Sequence, residues 1–229
     1  MTDLSVLMSA YNEEATITRA VERVLAADYP VDDVEVVVVE NGSTDRTRGV
    51  LAQTAWPDAV RVVHVDRNRG KGEGIRTALA HARGRWSAIL DADLEYDPAE
   101  IRLLLEPLLE GKADAAIGTR LFQSHSAYGF WYVAGNRVIN LTANVLYNSW
   151  LSDILNCFKV AETDVLRSLR LSEDGFGIDA EIPARLLRSG RKIYEVPVTY
   201  SARSREEGKK LTPADGARLV ATLVRCRLD

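Results

Sequence analysis

Asp91, Asp93 and Glu95 alternate with other residues at the end of the stretch Ser87-Ala-Ile-Leu-Asp91-Ala-Asp93-Leu-Glu95. An apolar run that passes straight into two aspartates reads as a buried strand delivering carboxylates to its carboxyl edge. Open α/β sheets keep their ligands at that edge. Oxygen-only ligands suit a hard cation such as Mg²⁺ or Mn²⁺, which completes its shell with water and substrate phosphates rather than with a full protein cage. The stretch therefore reads as a metal–diphosphate site. The alternative is a strand-to-helix connection in which Asp91 or Asp93 caps the next helix.

The elements that must position these carboxylates recur along the chain. Leu4–Met8 reads as a first strand, followed by Tyr11-Asn12-Glu13-Glu14 and an amphipathic helix to about Ala27. Val34–Val39 is a second strand, leading through Glu40-Asn41-Gly42-Ser43-Thr44-Asp45 into a helix that ends before Trp56-Pro57. Val60–Val65 is a third, running into Asn68-Arg69-Gly70-Lys71-Gly72 and the helix 73–83. The fourth carries Asp91 and Asp93; a helix 98–109 and a strand 113–118 follow, with Gly118-Thr-Arg120 at the exit. Strand and helix in alternation predict helices covering a largely parallel sheet, and right-handed crossovers bring the polar loops to one edge.

The second half has a different texture. Tyr128–Leu151 is apolar and aromatic with Arg137 as its only charge, and it is interrupted by Gly135 and four asparagines. It predicts two core-facing helices, with an interfacial pair at a membrane as the alternative use. A helix near 163–170 follows, then Gly175-Phe-Gly-Ile-Asp179-Ala-Glu181 opening another helix. Next come a strand 192–200 whose Pro197 points to a sheet edge, a basic loop Arg203–Lys210, and a last helix from about Pro213 to Arg227.

The composition fits this reading. With 229 residues, 46% hydrophobic and 27% charged, the chain is long enough for a substantial core, read as one domain over 1–229. A net charge of −4 argues against a general nucleic-acid binder. Cys157 and Cys226 lack metal-ligand spacing and read as reduced buried thiols, which places the chain in the cytoplasm, and no secretory segment or membrane-spanning run is visible. His64, His81 and His125 show no ligand spacing and read as structural or exposed.

The ordered set of motifs resembles the inverting family 2 glycosyltransferases of the GT-A fold, and most closely the branch of polyprenol- and dolichol-phosphate mannose or glucose synthases. It rests on Ala10-Tyr-Asn-Glu13, Glu40–Asp45, Asn68–Gly72, Asp91-Ala-Asp93, Gly118-Thr-Arg120, Asp153 through Phe158-Lys159, Gly177–Glu181, and Val196-Pro-Val-Thr-Tyr200 followed by Arg203. The resemblance implies an α/β GT-A fold with a nucleotide-sugar-binding half over 1–120 and an acceptor-side half over 121–229. It implies that Ala10, Tyr11, Glu13, Glu40, Asn41, Gly70, Lys71, Asp91, Ala92, Asp93 and Arg203 meet the donor, a GDP- or UDP-hexose. Asp91 and Asp93, with Glu95 as an additional ligand, would hold Mg²⁺ or Mn²⁺. The family usually has two aspartates where this chain has Glu40-Asn41 and a proline where it has Ser9; an amide both donates and accepts, so the choice of base does not transfer.

On the acceptor side the resemblance points to Arg120, Lys159, Lys209 and Lys210, and to Asp179 or Glu181 as the base. A hydroxyl acceptor requires a base, whereas a phosphate monoester is already largely ionised. The expected function is metal-dependent, inverting transfer of a hexose to a polyprenyl phosphate. Asp93, Asp179, Glu181 and Arg203 are its expected catalytic groups, and the protein is expected at the inner face of the cell membrane. The alternatives are a hydroxyl acceptor or a degenerate nucleotide-sugar-binding protein. The aromatic segment could equally pair two subunits as a homodimer.

Overall fold

The computed structural model describes residues 2–121, 130–201 and 213–229. A seven-stranded sheet with strand order β3-β2-β1-β4-β6-β5-β7 organises them. The strands are β1 (Leu4–Ala10), β2 (Val34–Asn41), β3 (Val60–Val65), β4 (Trp86–Ile89), β5 (Ala115–Thr119), β6 (Lys159–Glu162) and β7 (Ile193–Pro197). The helices are α1 (Ile17–Ala26), α2 (Thr47–Gln53), α3 (Lys71–His81), α4 (Ile101–Leu109), α5 (Phe130–Tyr147), α6 (Thr163–Ser168), α7 (Ile178–Arg188) and α8 (Pro213–Leu228). All pairings are parallel except those of β6, which runs antiparallel to both β4 and β5. The expected α/β fold with a largely parallel sheet is therefore present.

Local patterning explains the layers. In α1 the buried residues Ile17, Ala20, Val21 and Val24 follow helical spacing and face one side of the sheet. Consecutive residues of β2 serve opposite faces: Val36 and Val38 join the core under α1 and α4, while Val37 and Val39 join the core under α3 and α7. A third cluster, with Ile139, Ala143, Ala180, Ala184, Leu219 and Leu223, binds α5, α7 and α8 together. β7 closes one side of the sheet, the edge position that Pro197 suggests, since proline has no N–H to donate to a further strand.

The sequence assigns no element to Lys159–Glu162, which has only four residues and a charge at each end; its neighbours β4 and β5 complete it as the central strand β6. One expectation is corrected. The expected helix pair in Tyr128–Leu151 is one helix from Phe130 to Tyr147 within the described residues. Asn140 and Asn144, read as interruptions, turn their side chains to the 151–154 loop: Asn140 Nδ2 donates to the Ser152 carbonyl, and Asn144 Nδ2 to that of Leu151. The helix buries Ile139 and Ala143 but leaves Val138, Leu141 and Val145 exposed, so it is core-facing on one side only. Among the described residues no helix is long and apolar enough to cross a membrane.

Candidate active site

The loops after β1, β2, α3's leading turn and β4 meet at the carboxyl edge of the sheet. Asn12, at φ 56, knits the first two: its N–H donates to Ser43 Oγ at 3.2 Å, and its Oδ1 accepts from Thr44 N at 2.9 Å. Ala10 is buried at the end of β1, and Tyr11 follows it, half-buried. Glu13 is buried, accepts from Thr16 Oγ1 at 2.8 Å, and donates its N–H to Thr47 Oγ1. The two residues expected to read a base point to different tasks. Glu40 is fully buried, accepts from Ser43 N at 2.6 Å and lies 3.5 Å from His64 Nδ1, bracing its own loop. Asn41 donates its amide to the Gly70 carbonyl at 2.8 Å, so its donor is engaged and its buried Oδ1 has no hydrogen-bond partner among the described residues.

Gly70 is required by geometry. Its φ is 120°, and a Cβ there would stand 2.4 Å from the Asp174 carbonyl oxygen. That close approach sets the first turn of α3 against the loop leading into α7. It also brings Lys71 and Asp179 together from 108 residues apart.

Lys71 is the centre of the cluster. Its Nζ lies 2.9 Å from Asp91 and 2.9 Å from Asp179. Burial opposes the charge on Lys71, but Asp179 and Asp91 outweigh it and hold the ammonium well above the ordinary lysine range. For Asp91 burial raises and Lys71 lowers; the lysine wins, and the carboxyl sits below its ordinary value. Lys159 reaches the same place from β6, 3.7 Å from Asp179 and bonded to the Asn156 carbonyl. It is almost completely buried, and burial pushes its ammonium below the usual lysine range despite Asp179. Two carboxylates and two ammonium groups thus share one partly dry corner.

The rest of the acidic stretch is held separately. Asp93 Oδ1 accepts the Glu95 N–H at 3.1 Å, and Leu94 between them adopts φ 64. Glu95 Oε2 accepts from the Tyr200 hydroxyl at 2.7 Å. Ala92 is buried in the core beneath this turn. The next helical turn is capped by Asp97, not by Asp91 or Asp93: Asp97 Oδ1 accepts from Ala99 N. Among the described residues no three His, Cys, Asp or Glu side chains converge to hold a metal ion. The donor chemistry nevertheless fits a hard cation completed by a substrate diphosphate, since Asp91 is kept ionised and only oxygen is offered.

Two expected acceptor-side groups are committed elsewhere. Arg120 makes a bidentate pair with Asp153 at 2.7 and 2.6 Å and lies over the Tyr200 ring. The structure does not bring Glu181 to Lys71: the fully buried carboxylate accepts from Ser172 N, Ser172 Oγ, Glu173 N and Arg185 Nε. These bonds and Arg185 overcome the effect of burial and hold its carboxyl below the ordinary range. Arg203, Lys209 and Lys210 lie outside the described residues. Asp153 and Tyr200 were visible in the motifs but carried no role; Asp153 stands out only once β6 and β7 fold its loop against Arg120. Cys157 and Cys226 are buried free thiols, His81 is exposed, and His125 lies outside the described residues.

The comparisons with known proteins agree with this architecture. The family model described as Glycosyl transferase family 2 matches residues 5–170. Glycosyltransferase AglJ of Haloferax volcanii is 31% identical over 96% of this chain and 70% of its own length. The low-salt glycan biosynthesis hexosyltransferase Agl6 of the same organism is 31% identical over 95% of this chain, which spans 52% of that protein. Glucosyl-3-phosphoglycerate synthase from Mycobacterium tuberculosis, solved with Mn²⁺, UDP and phosphoglyceric acid, superposes with a TM-score of 0.74. It is 22% identical and is matched over 99% of this chain and 78% of its own. An ordered loop set on a GT-A sheet and a family match over most of the length lead to one conclusion: this chain is a glycosyltransferase and belongs to glycosyl transferase family 2.

Proposed function

We propose that the chain catalyses metal-dependent, inverting transfer of one hexose from a nucleotide sugar to a polyprenyl phosphate. The observation that carries this reading is the joint hold of Lys71 on Asp91 and Asp179, with Lys159 beside them. Asp91 and Asp93 would hold Mg²⁺ or Mn²⁺, which neutralises the charge growing on a departing nucleoside diphosphate. The donor lies over residues 1–120, with Tyr11, Glu13, Asn41, Gly70 and Lys71 around it and Arg203 against its diphosphate. The acceptor lies over residues 121–229. A phosphate acceptor arrives ionised and requires cations rather than a strong base. Lys71 and Lys159 supply positive charge next to Asp179, with Lys209 and Lys210 as further phosphate contacts, while Asp179 keeps the two ammonium groups in register. Arg120 acts through Asp153 to shape the same wall. UDP and Mn²⁺ in the solved mycobacterial synthase support this donor chemistry.

The second reading, a hydroxyl acceptor with Asp179 as base, is favoured by the relatives' names. Agl6 and the succinoglycan biosynthesis protein ExoO of Rhizobium meliloti, 42% identical over half of this chain, both belong to glycan assembly. Labelled UDP- and GDP-hexoses offered with polyprenyl phosphate and, separately, with sugar hydroxyls test the choice. Label in the lipid phosphate supports the first reading; label only in the sugars overturns it.

The proposed site of action is the inner face of the cell membrane. The exposed Val138, Leu141 and Val145 stripe of α5, Trp150 at 87% exposure, and Arg225 and Arg227 on α8 support peripheral contact with anionic lipid. Pairing of two copies through the same stripe is the outcome that equal recovery with and without vesicles, together with a dimer in solution, would support.

A further inference from the structure

We propose that Tyr200 is a positioning residue for the metal-binding turn, acting through Glu95 on Asp93. The inference rests on the reading of Asp91 and Asp93 as metal ligands and adds a residue that touches neither the metal nor the substrate.

The turn Asp93-Leu94-Glu95 is in a conformation it does not favour by itself. Leu94 has φ 64, in the left-handed region where a side chain crowds its own backbone. Such a conformation persists when the surroundings over-determine it. Here the surroundings are one segment from 105 residues away. The Tyr200 hydroxyl donates to Glu95 Oε2 at 2.7 Å, the Ser201 N–H donates to the Glu95 carbonyl at 2.9 Å, and Tyr96 forms a β-bridge with Tyr200. Glu95 is therefore gripped at both its side chain and its backbone. Its own N–H donates to Asp93 Oδ1, so the grip is passed to a carboxylate expected to bind metal.

Tyr200 is itself a rigid post. Its ring is buried, tilted against the Tyr96 ring with centroids 5.1 Å apart, and lies 5.1 Å from the Arg120 guanidinium. Arg120 is in turn clamped by Asp153. The hydroxyl has little freedom to follow Glu95 if the turn relaxes, which is what a positioning group requires. Groups bonded directly to a ligand typically change metal affinity by about 10- to 100-fold when lost; Tyr200 stands one hydrogen bond further out, behind Glu95, so the low end of that range is expected.

The test is Mn²⁺ affinity from the electron paramagnetic resonance signal of the free ion, at saturating UDP and, in parallel, GDP, using the full chain. Nucleotide affinity is measured separately in EDTA. Tyr200→Phe keeps the packed ring and removes only the hydroxyl; it should weaken Mn²⁺ binding by about tenfold while leaving nucleotide binding in EDTA unchanged. Adding Leu94→Gly should recover most of that loss, because glycine holds a positive φ without bracing. Wild-type Mn²⁺ affinity in Tyr200→Phe, an equal loss of nucleotide binding in EDTA, or no recovery with Leu94→Gly would each overturn the proposal. Asp93→Ala separates the positioning role from the metal site itself. If it too binds Mn²⁺ like the wild type, the metal-site reading has failed; if it loses Mn²⁺ while Tyr200→Phe does not, only the positioning role has.

Discussion

Asp179 and Glu181 stand two residues apart on α7, yet they belong to different regions of the molecule. Two residues of helix turn a side chain by about 200°, so one carboxylate faces the sheet edge and the other faces the 172–173 turn. Asp179 meets two lysines from α3 and β6, brought from distant parts of the chain. Glu181 meets local backbone N–H groups and an arginine one helical turn on. Burial is shared; the source of the partners differs. A carboxylate satisfied by its own neighbourhood is set by local structure, and one satisfied by remote cations depends on the tertiary packing that brings them to it.

The largest effect expected from breaking this contrast is on the sheet-edge side. Lys71→Met leaves Asp91 and Asp179 without their shared cation. Sugar transfer should fall by about 10²-fold or more, and chemical denaturation should show a loss of about 3 kcal/mol. A transfer rate within threefold of wild type would remove Lys71 from the site. On the opposite side, Glu181→Gln should cost about 2 kcal/mol of stability through lost acceptor capacity. Transfer, assayed where the variant is folded, should stay near wild type; a hundredfold loss would return Glu181 to the list of candidate bases.

The pH dependence sharpens the same contrast. Because the folded Glu181 carboxyl lies below its ordinary value, the stability it contributes is fully present above the unfolded carboxylate pKa of about 4.3. It is lost as pH falls through the folded value. The stability gap between wild type and Glu181→Gln should therefore be constant at neutral pH and close only in acid, as followed by unfolding midpoints. A gap that closed above pH 6 would contradict the hydrogen-bond account. The smallest effect on the fold is expected at the outer surface of α5. Val145→Asp should shift stability by no more than about 0.5 kcal/mol while reducing co-sedimentation with anionic vesicles; unchanged sedimentation would speak against membrane contact through that stripe.

The same division decides what could be read from the sequence. The first half was legible because each strand of the alternating pattern is followed by a polar loop, and the topology places those loops together. Asp91 and Asp93 could be nominated from one short stretch for that reason. The different tasks of Asp179 and Glu181 could not, since both sit in the same acidic first turn and their partners are set by tertiary packing. β6 escaped because a four-residue strand flanked by charges has too little pattern of its own, and its β character comes from β4 and β5. The split between Glu40 and Asn41 is similar: alternation along β2 sends neighbouring side chains to opposite faces, and only the Gly70 carbonyl reveals which half of the amide is occupied.

The antiparallel strand in the middle of the sheet also has a consequence in time. β4 ends at Ile89 and its partner β6 ends at Glu162, so 162 − 89, or 73, residues must be made before that edge is covered. At a synthesis rate of about 5–20 residues per second the interval is about 4–15 s. During it, the sheet β3-β2-β1-β4 has an open, apolar border. Once β6 arrives, β5 and β7 can add to it in turn. A ribosome paused between these two points would therefore hold a nascent chain that has its first four strands and a border able to pair with another chain.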